Sequence, residues 1–144
     1  ALQMAEYRKV YLCLEVEASN VVSSAAKAEH IMRILQSPWL KIVLDGANLF
    51  QKGTNKHENV RDVLNNAFDL LGDDIVLVHG KDVREGENLE FTSAGNGIVD
   101  FDYFLMRLKE AGYRGDMILH GAKQEDQIPA SVAFMKEKIR LAGI

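Results

Sequence analysis

The chain is almost without cysteine: Cys13 is its one thiol among 144 residues. A disulfide framework within the chain is therefore excluded, and the sequence fits a reducing compartment such as the cytoplasm. Only two prolines and no low-complexity stretch interrupt it, so nothing marks a linker between domains. No apolar run approaches the roughly 18 residues of a membrane span, and no signal-peptide pattern opens the chain. These absences predict one cytoplasmic domain with no membrane partner.

The chain also has no excess of positive charge. Seventeen Lys and Arg residues stand against 21 Asp and Glu residues, which gives a net charge of -4 and a pI of about 5.6. Proteins that bind nucleic acid usually carry a basic face and a high pI. We therefore expect no nucleic-acid partner, although a local cationic pocket remains compatible with this composition.

Four short apolar segments, each ending in an ionisable side chain, are the main feature that the chain does contain. They are residues 10–15, 40–45, 75–79 and 117–120, which end in Glu15, Asp45, His79 and His120. Nearly continuous Val, Ile and Leu runs are typical of buried parallel strands. Helical patterns separate them, so the predicted order is strand 9–17, helix 23–36, strand 40–45, helix 58–71, strand 74–79, helix 101–111, strand 115–120 and helix 129–141. This alternation predicts an α/β fold with a parallel sheet, a (βα)4 segment.

The predicted loops are strongly unequal. Helix-to-strand connections are tight, whereas the strand-to-helix connections 46–57 and 80–99 are long. Loops longer than about 12 residues in compact domains are usually functional or disordered. Both long loops leave the same end of the sheet as the four ionisable residues, and active sites of parallel α/β folds lie at that end. Two separate features therefore predict a functional site there.

The number of βα units points to half of a barrel. A closed eight-fold βα barrel takes about 250 residues, roughly 30 per unit, and four strands cannot close one. The chain is therefore either an open doubly wound sheet or half a barrel. A half-barrel exposes strand edges and an inner face, so we expect it to form a homo-oligomer, to pair with a missing amino-terminal half, or to be partly ordered. Its start at Ala1, almost directly at a predicted strand, suggests a piece of a longer chain.

Several stretches resemble the carboxyl-terminal half of the xylose isomerase-like TIM barrels. They are residues 14–17 (Leu-Glu-Val-Glu), 43–50 (Val-Leu-Asp-Gly-Ala-Asn-Leu-Phe), 76–83 (Val-Leu-Val-His-Gly-Lys-Asp-Val), 95–101 and 112–119. That superfamily contains sugar and sugar-phosphate isomerases and epimerases, and also type IV apurinic endonucleases. The resemblance implies that residues 1–144 form a truncated TIM (β/α)8 barrel domain holding strands five to eight.

The resemblance also implies one divalent cation, bound by a Glu, an Asp, a His and a second Glu at the ends of strands five to eight. Glu15, Asp45 and His79 match three of these positions, and His120 stands where the family usually has the second Glu. Imidazole is a good ligand for zinc, manganese or iron, so the metal site is compatible with this change. The metal itself stays open among manganese, zinc, magnesium and cobalt.

The same comparison supplies candidate catalytic and substrate-binding residues. In the epimerases the two glutamates move the proton, so the matching pair here is Glu15 and His120, whose imidazole has a suitable pKa range. Candidate substrate-binding residues are Glu17, Asn48, Lys81, Asp82 and Arg84. Plainer interpretations stay open: Asp45 can be a turn residue, residues 81–84 can form an ion-paired loop, and the Gly-x-Gly of residues 95–97 can be a simple turn.

The implied function is a metal-dependent isomerase or epimerase acting on a sugar or sugar phosphate by proton transfer beside a carbonyl. The metal would hold adjacent substrate oxygens and stabilise an enediolate. Two alternatives stay open. One is a catalytically silent half-barrel or metal-binding module. The other, less favoured because the chain is acidic and has only four His residues, is a phosphodiesterase of the endonuclease type.

Overall fold

The computed structural model describes residues 1–144 and alternates helices with strands. The helices are α1 (Leu2–Arg8), α2 (Ala25–Leu35), α3 (Val60–Leu71), α4 (Phe101–Glu110) and α5 (Gln127–Ala142). The strands are β1 (Leu12–Glu15), β2 (Leu40–Asp45), β3 (Ile75–Val83), β4 (Phe91–Ser93) and β5 (Met117–Leu119). No helix combines the length and the apolar character that crossing a membrane requires.

Four of the strands form a parallel sheet in the order β1-β2-β3-β5. The short β4 pairs antiparallel with the far end of β3, opposite residues 81–83, and so extends β3 into a hairpin. The strands β1 and β5 each have a single neighbour in the sheet. The predicted parallel α/β fold is therefore confirmed, with two open sheet edges.

The helices cover one face of this sheet. Ile42, Leu44 and Val78 on that face are completely buried, and they join one core cluster with Leu64 of α3 and Phe104 of α4. Alternate residues along a strand point to opposite faces. The other face therefore carries the side chains of positions 43, 45, 77, 79 and 118, and Ile118 there is half exposed. This uncovered face is the one on which the candidate site lies.

Most predicted elements are confirmed within a few residues, and the strand 40–45 is confirmed at both ends. The expectation that the chain starts almost directly at a strand is wrong, because α1 precedes β1. The helix ends at Arg8 and is capped by Lys9, whose φ of 56° is left-handed. The predicted long loop 80–99 is also wrong in part. Residues 80–83 continue β3, and a hairpin replaces what was expected to be irregular.

The sequence predicts Ser23 or Ser24 and Asp100 as helix N-caps, and Gly72 and Gly112 as left-handed residues that end helices. The structure agrees except at Gly72. Ser24 accepts a hydrogen bond from the Lys27 N–H, and Asp100 accepts one from the Tyr103 N–H, as N-caps do. Gly112 has the expected left-handed φ of +71°. Gly72 does not, because its φ of -51° lets the chain continue into a 3-10 turn over Gly72–Asp74.

Candidate metal centre

The strand register brings the ionisable strand ends together. Asp45 at the end of β2 lies directly opposite His79 of β3 in the parallel ladder. On the other side of β3, His79 lies opposite Ile118, so His120 follows one step beyond on the same face. Parallel strands that end at one edge of a sheet place their last side chains side by side. The sequence pattern therefore becomes a cluster on the uncovered face.

Three residues of the cluster are spaced as ligands of one ion. Ligand atoms of Asp45, His79 and His120 all lie within 4.8 Å of one another. The Nδ1 atoms of His79 and His120 are 3.8 Å and 3.9 Å from Asp45 Oδ2. Two atoms that each lie about 2.1 Å from a tetrahedral zinc ion are about 3.4 Å apart. The two Asp45–histidine distances are therefore a few tenths of an ångström longer than those of a bound zinc site.

Only one of the two carboxylate oxygens of Asp45 accepts hydrogen bonds. Oδ1 accepts hydrogen bonds from the N–H groups of Ala47 (3.0 Å) and Asn48 (3.4 Å). Oδ2 is buried without a hydrogen bond of acceptable geometry, although the Lys81 ammonium lies 3.3 Å away. Burial raises the pKa of Asp45, and the charge of Lys81 offsets part of that rise. Apart from that ion pair Oδ2 has no partner, so it is available to a cation held between the two histidines.

Glu15 lies beside Asp45, His79 and His120 but is not among the residues whose ligand atoms converge. Its Oε1 is 3.1 Å from His79 Nδ1 and accepts a hydrogen bond from Asn48 Nδ2 at 3.0 Å. Asn48 therefore joins the strand end of β1 to the turn that follows Asp45. The structure places Glu15 where it can orient the His79 ring or approach the same cation.

Lys81 projects its ammonium into the same cluster. Its side chain is almost fully buried, and Nζ donates a hydrogen bond to Asn48 Oδ1. The ring of Phe91 lies 4.1 Å from Nζ, a cation–π contact. Sequence reasoning missed Phe91, because the strand that carries it, β4, is only three residues long. A run of that length shows no readable alternation.

Two of the predicted substrate-binding residues lie apart from the cluster. The carboxylate of Glu17 accepts hydrogen bonds from Ser19 Oγ (2.7 Å) and Asn20 Nδ2 (3.3 Å) within its own loop. Arg84 follows the end of β3, and its exposed guanidinium pairs with Glu90 at 3.4 Å. Neither side chain contacts Asp45, His79 or His120.

Asp82 occupies the opposite face of β3 and holds a loop. Its carboxylate accepts backbone N–H bonds of 2.9–3.1 Å from Val83, Gly95, Gly97 and Val99. A Cβ on Gly97 would lie 2.3 Å from the Val83 carbonyl oxygen and 2.4 Å from Asp82 Oδ1, so only glycine fits. Burial raises the pKa of Asp82, and the four hydrogen bonds partly offset the rise. The Gly-x-Gly turn thus surrounds a carboxylate of the chain itself, and the role that the structure gives Asp82 is structural.

Comparisons with known proteins agree with this arrangement. The model of the family described as "Xylose isomerase-like TIM barrel" matches residues 1–138. L-ribulose-5-phosphate 3-epimerase UlaE of Escherichia coli (strain K12) is 27% identical over 151 residues, which cover all of this chain and 49% of that protein. The chain therefore spans about half the length of the curated relatives that it matches.

Solved structures show the same fold. A xylose isomerase domain protein from Planctomyces limnophilus superposes with a TM-score of 0.79 at 20% identity, over 99% of this chain and 51% of that one. A xylose isomerase-like TIM barrel protein from Mycobacterium smegmatis, solved in complex with magnesium, superposes with a TM-score of 0.72 at 12% identity, over 97% and 47%. At these identities the likeness establishes the fold, which corresponds to half of each barrel.

Proposed function

The chain belongs to the xylose isomerase-like TIM barrel family, and we propose that it forms the metal-binding half of an isomerase or epimerase. The proposed substrate is a sugar or sugar phosphate, and the proposed reaction is proton transfer beside a carbonyl. The observation that carries the proposal is the unbonded, buried Oδ2 of Asp45 between two histidine rings. The curated relatives, which are L-ribulose-5-phosphate 3-epimerases, support the substrate class.

Asp45, His79 and His120 are the residues proposed to hold the cation, with Glu15 at their side. A bound divalent ion would polarise substrate oxygens and stabilise negative charge that develops on them. Asp45 is fixed for this task by its position at the end of a buried strand and by the two N–H groups that hold its other oxygen. The chain therefore supplies a preformed carboxylate ligand between two imidazoles.

Glu15 and His120 are proposed to move the proton. The carboxylate of Glu15 is one-third exposed and is held by Asn48, so it can face a substrate above the uncovered face of the sheet. The His120 side chain is 57% exposed, so its ring can reach the same substrate from the β5 side of the cluster. A general base and a general acid on different strands can remove and return a proton at one carbon.

Lys81 and Asn48 are proposed to bind substrate hydroxyl or carbonyl oxygens. The buried Lys81 ammonium has donors to spare after its bond to Asn48, and Phe91 keeps one side of it out of water. Arg84 is the proposed contact for the phosphate of a sugar phosphate, because its exposed planar fork matches that group. Glu17 remains a candidate at the loop that follows β1. Asp82 is left out because backbone N–H groups occupy both of its oxygens.

The test is exchange of a carbon-bound hydrogen for deuterium. The full chain, loaded with a divalent metal in D2O, is incubated with a panel of ketoses and ketose phosphates and followed by NMR. We expect exchange beside the carbonyl of at least one substrate, and its loss in Asp45→Asn. Asp74→Asn is the matched control, because Asp74 also pairs with a lysine, Lys41 at 2.6 Å, but precedes β3 at the other end of the sheet. Equal exchange in both variants would contradict the site.

A second candidate follows from the length of the chain. Because it spans about half of its curated relatives, a metal-binding half-barrel without turnover is also supported. The open edges at β1 and β5 fit pairing with a second copy or with an amino-terminal half. Metal binding that depends on Asp45, without deuterium exchange in any substrate, would favour this candidate.

A further inference from the structure

The backbone on both sides of His120 determines where its ring lies. The His120 N–H donates to the Gly80 carbonyl at 3.1 Å, which continues the ladder between β5 and β3. The ring then stands edge-on to the His79 ring, with centroids 5.5 Å apart and an interplanar angle of 72°. The two imidazoles are thus neighbours by strand pairing, with no dependence on a flexible loop.

Gly121 fixes the point at which the chain leaves the cluster. Its φ is +80°, and a Cβ there would lie 2.5 Å from the Thr92 carbonyl oxygen and 2.7 Å from Lys81 Cγ. A glycine is required where the backbone turns left-handed and passes this close to a neighbouring strand. His120, directly after β5, is consequently the last side chain that can reach Asp45 before the chain turns away.

The ring of His120 is not committed to another group. More than half of its side chain is exposed, and the carboxylate nearest to its Nδ1 is that of Asp45, 3.9 Å away. His30 offers a contrast, because its Nδ1 contacts Arg33 at 3.1 Å on α2. A ring held in place by its backbone, with no hydrogen-bond partner of its own, is available as a ligand.

The donor set that results is rich in nitrogen. Two imidazoles and one carboxylate converge within 4.8 Å, and the Glu15 carboxylate borders them. Imidazole ligands suit zinc, iron, nickel and copper, whereas carboxylate and water ligands suit magnesium, calcium and manganese. A carboxylate at position 120 would give the second kind of site, and the histidine gives a mixed one.

We propose that His120 sets the metal preference of this site, shifting it away from Mg²⁺ and Mn²⁺ and towards Zn²⁺, Fe²⁺ and Co²⁺. The inference rests on the proposed function, because it takes Asp45, His79 and His120 as the ligands. It goes further in assigning the class of cation to one residue of the chain.

The test measures a ratio of affinities. Nearly every nitrogen and oxygen site binds Zn²⁺ more tightly than Mn²⁺, so the preference of the wild type alone decides nothing. The full chain, stripped of metal, is titrated calorimetrically with Zn²⁺ and with Mn²⁺ as wild type, as His120→Glu and as His30→Glu. We expect the preference for zinc to fall by about tenfold or more in His120→Glu, the scale on which changes around a metal alter its affinity. The same exchange at His30, on exposed α2, should leave the ratio unchanged.

The outcomes separate this inference from the proposed function. An unchanged zinc-to-manganese ratio in folded His120→Glu overturns the inference and leaves the metal centre standing. Failure of the wild type to bind either ion overturns the metal centre itself. A second measurement needs no variant: proton NMR of the cobalt-loaded wild type should show two strongly shifted, exchangeable imidazole N–H signals, from His79 and His120. A single such signal, assigned to His79 because it persists in His120→Glu, would show that His120 is not a ligand.

Discussion

Two buried aspartates, one on each face of the sheet, have opposite surroundings. Asp45 and Asp82 are both about 1% exposed, and burial raises the pKa of both. Four backbone N–H groups satisfy the carboxylate of Asp82. Asp45 has N–H donors on one oxygen only, and its other oxygen faces Lys81 and two histidines. Burial alone therefore does not distinguish a structural carboxylate from a candidate ligand, whereas the partners of each oxygen do.

The difference also separates what each residue does for the fold. The bonds of Asp82 tie the end of β3 to residues 95–99, which lead into α4. The Asp45 carboxylate bonds only to the turn directly after its own strand. Removing the Asp82 carboxylate should therefore release residues 95–99 from the end of β3. Removing the Asp45 carboxylate should mainly change the chemistry of the cluster.

The largest expected effect is the loss of stability in Asp82→Asn. An amide has one acceptor oxygen, so its NH2 group would face two backbone N–H donors that have lost their acceptor. Each buried group left unsatisfied costs about 1–3 kcal/mol, and we expect a loss of about 3 kcal/mol in the free energy of unfolding. Asp45→Asn keeps its acceptor for Ala47 and should lose only about 1 kcal/mol. Urea denaturation of both variants without metal checks this; equal losses would contradict the comparison.

The second prediction concerns stabilisation by zinc, which should be large in Asp82→Asn and small in Asp45→Asn. A ligand that binds only the folded state at 100 times its Kd stabilises it by about 2.7 kcal/mol. We expect zinc at that excess to stabilise the wild type by this amount, and Asp82→Asn by a similar amount because its ligand cluster is intact. Asp45→Asn should gain little. Thermal or urea unfolding with and without zinc measures the gains, and a full gain in Asp45→Asn would remove Asp45 from the ligand set.

The site was predictable from the sequence where side chains follow strand periodicity. Asp45 and His79 each end an apolar run, and parallel pairing of such runs leads to their meeting. Family resemblance to xylose isomerase-like barrels, carried by the same stretches, is confirmed by the family match over residues 1–138. The (βα)4 order could be predicted from the alternation of strand and helix patterns and from the tight helix-to-strand turns.

The remainder depends on contacts that a local pattern does not contain. Residues 80–82 are glycine or charged and resemble the start of a loop in sequence, yet they continue β3 because β4 pairs with residues 81–83 from across a seven-residue connection. Asp82 is predicted from the sequence to contact substrate together with Lys81 and Arg84, its neighbours in the chain. Its position on the opposite face follows only once the strand is known to extend that far, since successive side chains alternate.

The smallest expected effect is a difference in how stability depends on pH. Because the pKa of Asp82 is raised in the folded state, the folded protein holds this proton at pH values where the unfolded chain, with an ordinary pKa of about 3.9, has released it. The contribution of Asp82 to the free energy of unfolding is therefore greatest below pH 4 and falls as the pH rises through the folded pKa, by at most about 1.4 kcal/mol per pH unit. Urea denaturation of metal-free wild type and Asp82→Asn from pH 4 to pH 7 isolates it, because the variant lacks this proton. The advantage of the wild type should shrink with rising pH; an advantage that grows would mean that the four hydrogen bonds outweigh burial at Asp82.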